Sequence, residues 1–486
     1  MKTIHDLDPK NVFENFYSLT QIPHPSKKEA KMIAFLKEFG ENLGLETIVD
    51  KVGNVIIRKP ATPGFEDRMG VVLQAHIDMV PQKNEDTKHD FEKDPIETYV
   101  EDGWLKAKGT TLGADNGVGV AAAMAVLQAT DIEHGPIEVL LTVDEETGMT
   151  GANELEPGLL KGDILLNLDS EDEGELYVGC AGGVDTTAEF IVSKEVVPSN
   201  YVAYRIAIKG LKGGHSGIDI ILGRANANKL MNTLLLMTAE KFGVHLSDIN
   251  GGSLRNAIPR ESFATVVLPT EKEEDFNAFA MEYTTIVKEE FGKIEPDFQL
   301  VLTKSELPKK MLSTASQDAL YEAIAKCPNG VIAMSTDFEG VVETSSNLAI
   351  VKSEGDKIQI ASLQRSLVDA SKEKLAAQIR KVFTDASATS ESSGDYPGWK
   401  PNIDSPILKT MKEVYNNKYG RVPKIMVIHA GLECGILGAK YPNWDMISFG
   451  PTLRHPHSPD EKLKIDTVQL FWDFLVETLK FIPAKG

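Results

Sequence analysis

Three short apolar runs, each followed at once by acidic or imidazole side chains, constrain the fold of this chain more than any other feature. The runs are MGVVLQAH, IEVLLTVDEE and DILLNLDSED, and each is short enough for a single β-strand. Between the first two lies NGVGVAAAMAVLQA, whose length and Ala, Leu and Met content favour a helix. Strands that alternate with helices in this way predict an α/β fold with a mostly parallel central sheet.

The pattern changes further along the chain. A length of 486 residues exceeds what one hydrophobic core usually holds, so we expect at least two domains. Beyond residue 184 the segment YVAYRIAIKG alternates polar and apolar residues, as a half-exposed strand does, and SESSGDYPGW is typical of a linker. We therefore predict a first domain made of residues 1–184 and 389–486, with an inserted α+β domain at 185–388.

Charge and cysteine content narrow the class of partner. The chain has 51 Lys and Arg against 72 Asp and Glu, a net charge of −21, which opposes binding to nucleic acid or to an anionic membrane. A cation suits that field, although an acidic surface that only maintains solubility is an equal alternative. The three cysteines form no Cys-x-x-Cys pair, and no run of about 18 apolar residues occurs, so we expect a soluble cytoplasmic protein.

The polar residues that end the apolar runs are the candidate functional residues. Carboxyl ends of parallel strands meet at one edge of a sheet, and ligands bind there. A single carboxylate at a strand end is more often a helix cap or a solvated loop residue, but five such clusters after five apolar runs favour a shared site. They supply His76, Asp78, Asp115, Glu145, Glu146, Asp169 and, from RHPHSPDE, His457.

This set of side chains predicts metal binding. Converging carboxylates repel one another unless a cation neutralises them, and mixed imidazole and carboxylate ligands suit zinc, with cobalt or manganese as alternatives. The acids are too numerous for one four-coordinate ion. Two ions that share a bridging carboxylate and a water would use these acids economically, which is a known hydrolytic arrangement. Neighbouring Glu145 and Glu146 point in different directions, so one can bind metal while the other accepts a proton from the water.

Near the N-terminus, Ser26 and Glu29 have the spacing of a capping box. This spacing predicts that the Ser26 hydroxyl caps the helix that follows.

Together these motifs resemble the M20 metallopeptidase family over nearly the whole chain. The resemblance rests on IPHPS, QAHIDMVPQ, GTTLGADNGVG, DEETGM, NLDSEDEGE, LKGGHSG, LRNAIPRE, HAGLECG and HSPDE. It implies a catalytic domain with an inserted lid domain, and hydrolysis of dipeptides. The branch of the family that the chain most resembles implies aminoacyl-histidine (Xaa-His, carnosine-like) substrates.

The resemblance also implies a role for each candidate of the first domain. His76 and Asp169 would bind one zinc ion, Glu146 and His457 the other, and Asp115 both, with a cis peptide bond after Asp115. Glu145 would be the general base, and Asp78 would accept the second ring proton of His76. His455 could compete with His457 as a ligand, but the HSPDE pattern favours His457.

Further residues are implied as substrate contacts. His215 in KGGHSG would stabilise the oxyanion as the lid closes, although a histidine satisfied within a glycine-rich turn is the alternative. Asn256 and Arg365 would hold substrate, with Arg365 paired to the dipeptide carboxylate or, alternatively, to an acid on its own strand surface. His429 and Glu433, flanked by glycines in HAGLECG, would lie in a loop that touches substrate backbone or amine.

Two other functions fit parts of this pattern. An M20 deacylase acting on N-acyl amino acids would use the same metals and the same base. A non-catalytic binding protein on this fold is disfavoured because every candidate ligand and the base are present. The resemblance leaves a homodimer and a monomer both open.

Overall fold

The computed structural model describes residues 2–485 and divides the chain into two units. The first unit comprises Met1–Gly179, Trp399–Val427 and Leu432–Gly486, and the second comprises Cys180–Gly398 and Ile428–Gly431. The sequence-based domain boundaries at 184/185 and 388/389 stay a prediction, and the contact-based boundaries lie close to them.

The first segment of the first unit alternates helices and strands. Its helices are α1 (Lys10–Thr20), α2 (Ala30–Asn42), α3 (Ala114–Gln128), α4 (Glu145–Gly148) and α5 (Thr150–Glu154). Its strands are β1 (Glu46–Val49), β2 (Val55–Lys59), β3 (Val71–His76), β4 (Thr98–Glu101), β5 (Trp104–Ala107), β6 (Ile137–Thr142), β7 (Ile164–Asn167) and β8 (Glu175–Cys180).

The longer segment of the second unit, Cys180–Gly398, follows. Its strands are β9 (Gly182–Ile191), β10 (Lys194–Val196), β11 (Tyr201–Lys209), β12 (Gly214–His215), β13 (His245–Gly251), β14 (Ala257–Ile258), β15 (Ser262–Pro269), β16 (Gln299–Ser305), β17 (Lys310–Leu312), β18 (Gly330–Met334), β19 (Val342–Glu354), β20 (Lys357–Ser366) and β21 (Thr389–Tyr396). Its helices are α6 (Ala227–Phe242), α7 (Glu273–Phe291), α8 (Thr314–Lys326) and α9 (Asp369–Asp385).

The chain then returns to the first unit. This last part contributes α10 (Pro406–Tyr419), α11 (Glu433–Lys440) and α12 (Ile465–Lys480), together with β22 (Lys424–Ile428), β23 (Asp445–Ser448), β24 (Leu453–Arg454) and β25 (Lys462–Lys464). Short 3-10 helices lie at Ile4–Asp6, Ile220–Leu222 and Thr270–Lys272.

The central sheet of the first unit has the order β1-β2-β6-β3-β7-β23-β8-β22. Its middle strands β6, β3, β7 and β23 are parallel, whereas β1, β2 and β8 pair antiparallel at the flanks. Every residue of β3, β6 and β7 is buried, which explains why these strands read as continuous apolar runs. Helix α3 contacts both β3 and α1, and its small residues are buried nearly all round. The predicted α/β class with a parallel central sheet is confirmed.

The second unit is built on an antiparallel sheet. The strand order is β16-β11-β15-β13-β19-β20-β9-β21, with β18 paired to β19. The helices of the unit supply the apolar residues that cover the sheet, and fully buried side chains of this core include Ile206, Leu234, Phe276 and Phe383. The strands and helices segregate as the α+β pattern predicted.

The linker predicted at SESSGDYPGW is wrong. Thr389–Tyr396 forms β21, which pairs antiparallel with β9 at the edge of the sheet. An edge strand is held by backbone hydrogen bonds and needs few apolar side chains, so its polar composition resembled that of a linker. The buried ammonium of Lys372 anchors the strand, since Nζ lies 2.6 Å from the Tyr396 carbonyl oxygen and 2.7 Å from the Asp395 carboxylate.

No helix within residues 2–485 is long and apolar enough to cross a bilayer.

Candidate metal centre

The polar ends of three parallel strands meet at one edge of the central sheet. His76 is the last residue of β3, Glu145 and Glu146 begin α4 soon after β6, and Asp169 follows β7. Because β3, β6 and β7 run parallel in the sheet, their carboxyl ends lie side by side. The convergence predicted from the sequence is therefore present in the structure.

Two groups of side chains at this edge share one carboxylate. In the first group, Nε2 of His76 lies 3.1 Å from Oδ1 of Asp115 and 3.5 Å from Oδ1 of Asp169. In the second, Nε2 of His457 lies 3.2 Å from Oδ2 of Asp115 and 2.9 Å from Oε2 of Glu146. Within each group the donor atoms all lie within 4.8 Å of one another. Asp115 thus directs one oxygen to each group, as a bridging carboxylate would.

The donor set fits two metal ions. Each group offers one imidazole nitrogen and two carboxylates, a ligand set that zinc accepts, with a further position for water or substrate. One oxygen of Glu146, Oε1, is buried and has no hydrogen-bond partner among residues 2–485, so it is available to a cation. The peptide bond between Asp115 and Asn116 is cis, as the family resemblance implies.

The imidazoles and carboxylates of this centre shift one another's pKa values strongly. Burial opposes ionisation of Asp115, but its hydrogen bonds with His457 and His76 lower its pKa well below the usual range. The same contacts with Asp115 and Glu146 raise the pKa of His457 to about 11. Burial raises the pKa of Asp169 well above its ordinary value. Positive charge is therefore required between these acids, and a metal ion would supply it while displacing the ring protons.

Asp78 orients both His76 and the turn that follows β6. Nδ1 of His76 lies 3.1 Å from the Asp78 carbonyl oxygen and 3.4 Å from Oδ1 of its carboxylate. That carboxylate also accepts hydrogen bonds from the backbone N–H groups of Glu145, at 2.9 Å, and Glu146, at 3.3 Å. Burial opposes its ionisation, yet these donors and His76 lower the pKa of Asp78 to about 2. One acid thus positions a candidate ligand and the candidate base together.

The predicted capping role of Ser26 is wrong. Helix α2 begins at Ala30, with Glu29 at its N-cap, and the Glu29 side chain makes no capping hydrogen bond to the helix. The Ser26 hydroxyl instead donates to Oδ2 of Asp78 at 2.8 Å. A contact between residues 52 positions apart cannot be found from local spacing, so local pattern favoured the cap.

Glu145 is a half-buried carboxylate next to both groups. Burial raises its pKa to about 8, with Glu433 and Glu146 adding to the effect and His76 opposing it. A donor atom of Glu145 lies within 4.8 Å of His76 and Glu146 donor atoms. A glutamate with so high a proton affinity can take a proton from water and later release it.

Glu433 is buried against strands β3 and β6 rather than placed in a loop. It is the first residue of α11 and is only 1% exposed, which corrects the predicted loop placement. Oε2 accepts hydrogen bonds from Nε2 of Gln74 at 2.6 Å and from Oγ1 of Thr142 at 2.8 Å. Within the described part of the chain Oε1 has no hydrogen-bond partner, and burial raises the pKa of this carboxyl to about 7.

In the second unit, a two-residue antiparallel pairing between β12 and β14 brings together His215 and Asn256. Strand β12 pairs with β14, with His215 opposite Ala257, and the Ser216 N–H donates to the Asn256 carbonyl oxygen at 2.8 Å. Nδ1 of His215 accepts backbone N–H bonds from Gly217 and Ile218, so the ring proton resides on Nε2. Burial lowers the pKa of His215 to about 4, which keeps the ring a neutral single donor.

Arg365 and His429 are also buried in the second unit. Nη1 of Arg365 donates to the Tyr396 hydroxyl at 2.6 Å, and none of the described residues accepts a hydrogen bond from its buried Nε. Nε2 of His429 lies 2.7 Å from the Ser345 hydroxyl oxygen. Burial, helped by the nearby Arg365 charge, lowers the pKa of His429 to about 3.

His455 does not compete for the centre. It belongs to none of the groups of metal-ligating side chains found in residues 2–485, whereas His457 does. Both residues have a positive φ, 58° and 59°, so the loop makes tight turns at each.

Comparison with known proteins identifies the family of this chain. Residues 72–480 match the peptidase family M20/M25/M40. The chain belongs to this family. The chain is 45% identical over 485 residues to the cytosol non-specific dipeptidase of Escherichia coli (strain K12). The alignment covers 100% of this chain and 100% of that protein. As an M20 peptidase it is a hydrolase, and the resemblance inferred from the motifs is confirmed.

Two solved structures agree with the fold. The aminoacylhistidine dipeptidase of Vibrio alginolyticus superposes with a TM-score of 0.92 at 50% identity, covering 100% of this chain and 99% of that one. The aminopeptidase PepT of Bacillus cereus superposes with a TM-score of 0.62 at 18% identity, covering 98% and 99%, which is a likeness of fold alone.

Sequence reasoning missed several residues of this M20 site. Gln74 and Thr142, which hold Glu433, belong to strands that were interpreted only as apolar runs. Their polar side chains inside such runs were the available signal. Glu461 is the last residue of the HSPDE motif, in which the sequence pattern points only to the histidine.

Proposed function

We propose that this M20 peptidase is a dinuclear zinc dipeptidase that hydrolyses Xaa-His dipeptides, including carnosine-like ones. The observation that carries the proposal is the shared carboxylate of Asp115, whose two oxygens face two imidazole-containing ligand groups beside the half-buried acid Glu145. The names of the similar proteins from Escherichia coli and Vibrio alginolyticus support a dipeptide substrate. The second of these names supports histidine at the second position.

Two zinc ions, or cobalt or manganese in their place, would be held by the two groups described above. His76, Asp115 and Asp169 form one set of ligands, and Asp115, Glu146 and His457 form the other. When bound, such ions polarise the scissile carbonyl and lower the pKa of the attacking water.

Glu145 moves the proton in this scheme. It accepts a proton from the attacking water as the water oxygen bonds to the amide carbon. It then delivers that proton to the amide nitrogen as the carbon–nitrogen bond breaks, which releases the amine. Burial favours the protonated form of Glu145, which supports the second transfer, and the positive charge of bound metal ions would favour the carboxylate that accepts the first proton.

Substrate recognition would use charged groups at both ends of a dipeptide. The buried Oε1 of Glu433 supports binding of a free ammonium group, since an acid in that position has an unfilled acceptor. Arg365 would pair with the dipeptide carboxylate, Nε2–H of His215 would donate to the oxyanion, and Asn256 and His429 would line the substrate. The ammonium site is what separates a dipeptidase from a deacylase, whose substrate has no charge at that nitrogen.

Metal analysis paired with a substrate panel tests the proposal. The zinc-loaded enzyme should cleave Xaa-His dipeptides and leave N-acetyl amino acids intact, with two metal ions bound per chain. Hydrolysis of only the N-acetyl compounds would show a deacylase instead. No hydrolysis of either class by the metal-loaded enzyme would favour a non-catalytic binding protein.

The E145Q variant separates the base from the ligands. It should keep its metal content while turnover falls by about 10²- to 10⁴-fold, the usual contribution of a general base. Full activity in E145Q would remove Glu145 from the mechanism.

We also infer a cytoplasmic location, supported by the cytosol designation of the Escherichia coli relative. Light scattering on the eluted protein would decide between a monomer and a homodimer.

A further inference from the structure

Glu461 is a buried acid that lies behind the metal centre. It is 2% exposed and immediately precedes β25, on the same loop as His457. In the scheme proposed above it contacts no substrate and belongs to neither ligand group.

Its carboxylate binds four successive backbone N–H groups. Oε2 accepts from Leu112 at 2.7 Å and from Gly113 at 3.1 Å, and Oε1 accepts from Ala114 at 2.8 Å and from Asp115 at 3.3 Å. These groups lead into α3, where first-turn N–H groups have no partner within the helix. The negative charge of Glu461 also complements the positive end of the helix dipole.

The local backbone is shaped to let these donors converge. Gly113 has φ of 71°, a left-handed conformation that suits glycine, and a Cβ there would lie 3.1 Å from the Met79 sulfur. The four N–H groups therefore point to one side, toward the acid.

The backbone of Glu461 is held within its own loop, and the strand that follows is held by β5. Its own N–H donates to the Ser458 carbonyl oxygen at 2.9 Å. The next residues form β25, which pairs with β5 at Lys462↔Lys106 and Leu463↔Leu105. A single side chain thus ties the loop that carries His457 to the backbone of Asp115.

We propose that Glu461 is a positioning residue that sets the spacing between Asp115 and His457 for binding of two metal ions. The inference rests on the dinuclear centre proposed above. Removal of an outer carboxylate that orients metal ligands commonly weakens metal binding by about 10- to 100-fold.

Replacement by glutamine tests the need for two acceptor oxygens. In E461Q one oxygen still accepts, but the amide NH₂ faces backbone N–H donors and cannot bond to them. We expect the affinity of the apo protein for Co²⁺, followed by visible absorption, to fall by about 10- to 100-fold. The Zn²⁺ affinity, measured by competition with a chromophoric chelator, should fall similarly, and kcat should fall more than KM rises.

A matched control exists in the same unit. Glu138 is also buried, and its Oε2 accepts the backbone N–H groups of Lys161 at 2.6 Å and Gly162 at 2.8 Å, far along β6 from the metal centre. E138Q should lower the unfolding temperature of the apo protein, as E461Q does, while both metal affinities remain at the wild-type value.

A second variant covers the case in which E461Q does not fold. E461D keeps the charge but draws the carboxylate back by one bond, about 1.5 Å, so it reaches fewer of the four donors. Its metal affinity should fall below that of wild type, by less than the change of about 10- to 100-fold expected for E461Q.

Wild-type affinity for both ions in these Glu461 variants would overturn the positioning role and leave Glu461 purely structural. If the wild-type enzyme has no dipeptidase activity but E461Q binds metal more weakly than wild type, only the proposed substrate would be overturned.

Discussion

Replacement of His429 by glutamine should remove a large part of the acid sensitivity of the second unit. His429 is 7% exposed, and Nε2 lies 2.7 Å from the Ser345 hydroxyl oxygen. Burial, together with the Arg365 charge, lowers the pKa of His429 to about 3. Glutamine can keep a hydrogen bond to Ser345 but does not titrate.

The sign follows from the lowered pKa. In the unfolded chain His429 takes up a proton below about pH 6.5, whereas in the folded protein it stays neutral until about pH 3. Above about pH 6.5 the neutral His429 therefore does not reduce the free energy of unfolding. As the pH falls from about 6.5 toward 3, the free energy of unfolding decreases because only the unfolded chain takes up the proton. A tenfold difference in proton affinity is worth about 1.4 kcal/mol, so the loss between pH 7 and pH 4 is about 3 kcal/mol.

Urea unfolding at pH 7 and pH 4 measures the effect. The wild-type free energy of unfolding should drop by about 3 kcal/mol more than that of H429Q over this interval. Other acid-sensitive groups, including those of the metal centre, cancel in the comparison because both proteins contain them. The exposed His5, replaced by glutamine, is the control and should leave the wild-type pH dependence unchanged. Equal pH dependence in wild type and H429Q would refute the claim that His429 is held neutral.

Three other perturbations have defined outcomes. S26A removes the hydroxyl donor to Asp78, so urea unfolding should show a loss of about 1.5–3 kcal/mol, and an unchanged midpoint would mean that water replaces the hydroxyl. K372M leaves the Tyr396 carbonyl oxygen without its buried donor and Asp395 without its cation. The free energy of unfolding of the second unit should fall by about 1–3 kcal/mol. A free energy of unfolding at or above the wild-type value would contradict this. Dialysis against a strong chelator should abolish dipeptide hydrolysis, and Zn²⁺ should restore it. Activity that survives complete metal removal would exclude the proposed dinuclear mechanism.

The parts of the centre that arise from strands were predictable. A strand with both faces buried has a continuous apolar sequence, so the change to a polar side chain at its end is visible, as at His76 after VVLQA. Parallel strands place such ends side by side, which allowed Glu145, Glu146 and Asp169 to be grouped with His76 before the structure was considered.

The features that depend on tertiary contacts could not be predicted from the sequence. Ser26 had the spacing of a cap but bonds to Asp78, and Glu433 was expected in a loop but lies buried at the start of α11. The edge strand β21 has the composition of a linker because its strand state comes from backbone pairing with β9, to which side-chain pattern contributes little.

The sequence by itself determined the chemistry of the donors, the α/β class and, through its motifs, the family. Only the tertiary structure decided which atom faces which, because Asp115 meets His457 across 342 positions of the chain and no local pattern encodes that contact. The same holds for Glu461. Its carboxylate can accept hydrogen bonds from these backbone N–H groups only after folding brings the two distant loops together. Local periodicity is set by steric preferences of neighbouring residues, whereas the site is set by packing of the whole sheet.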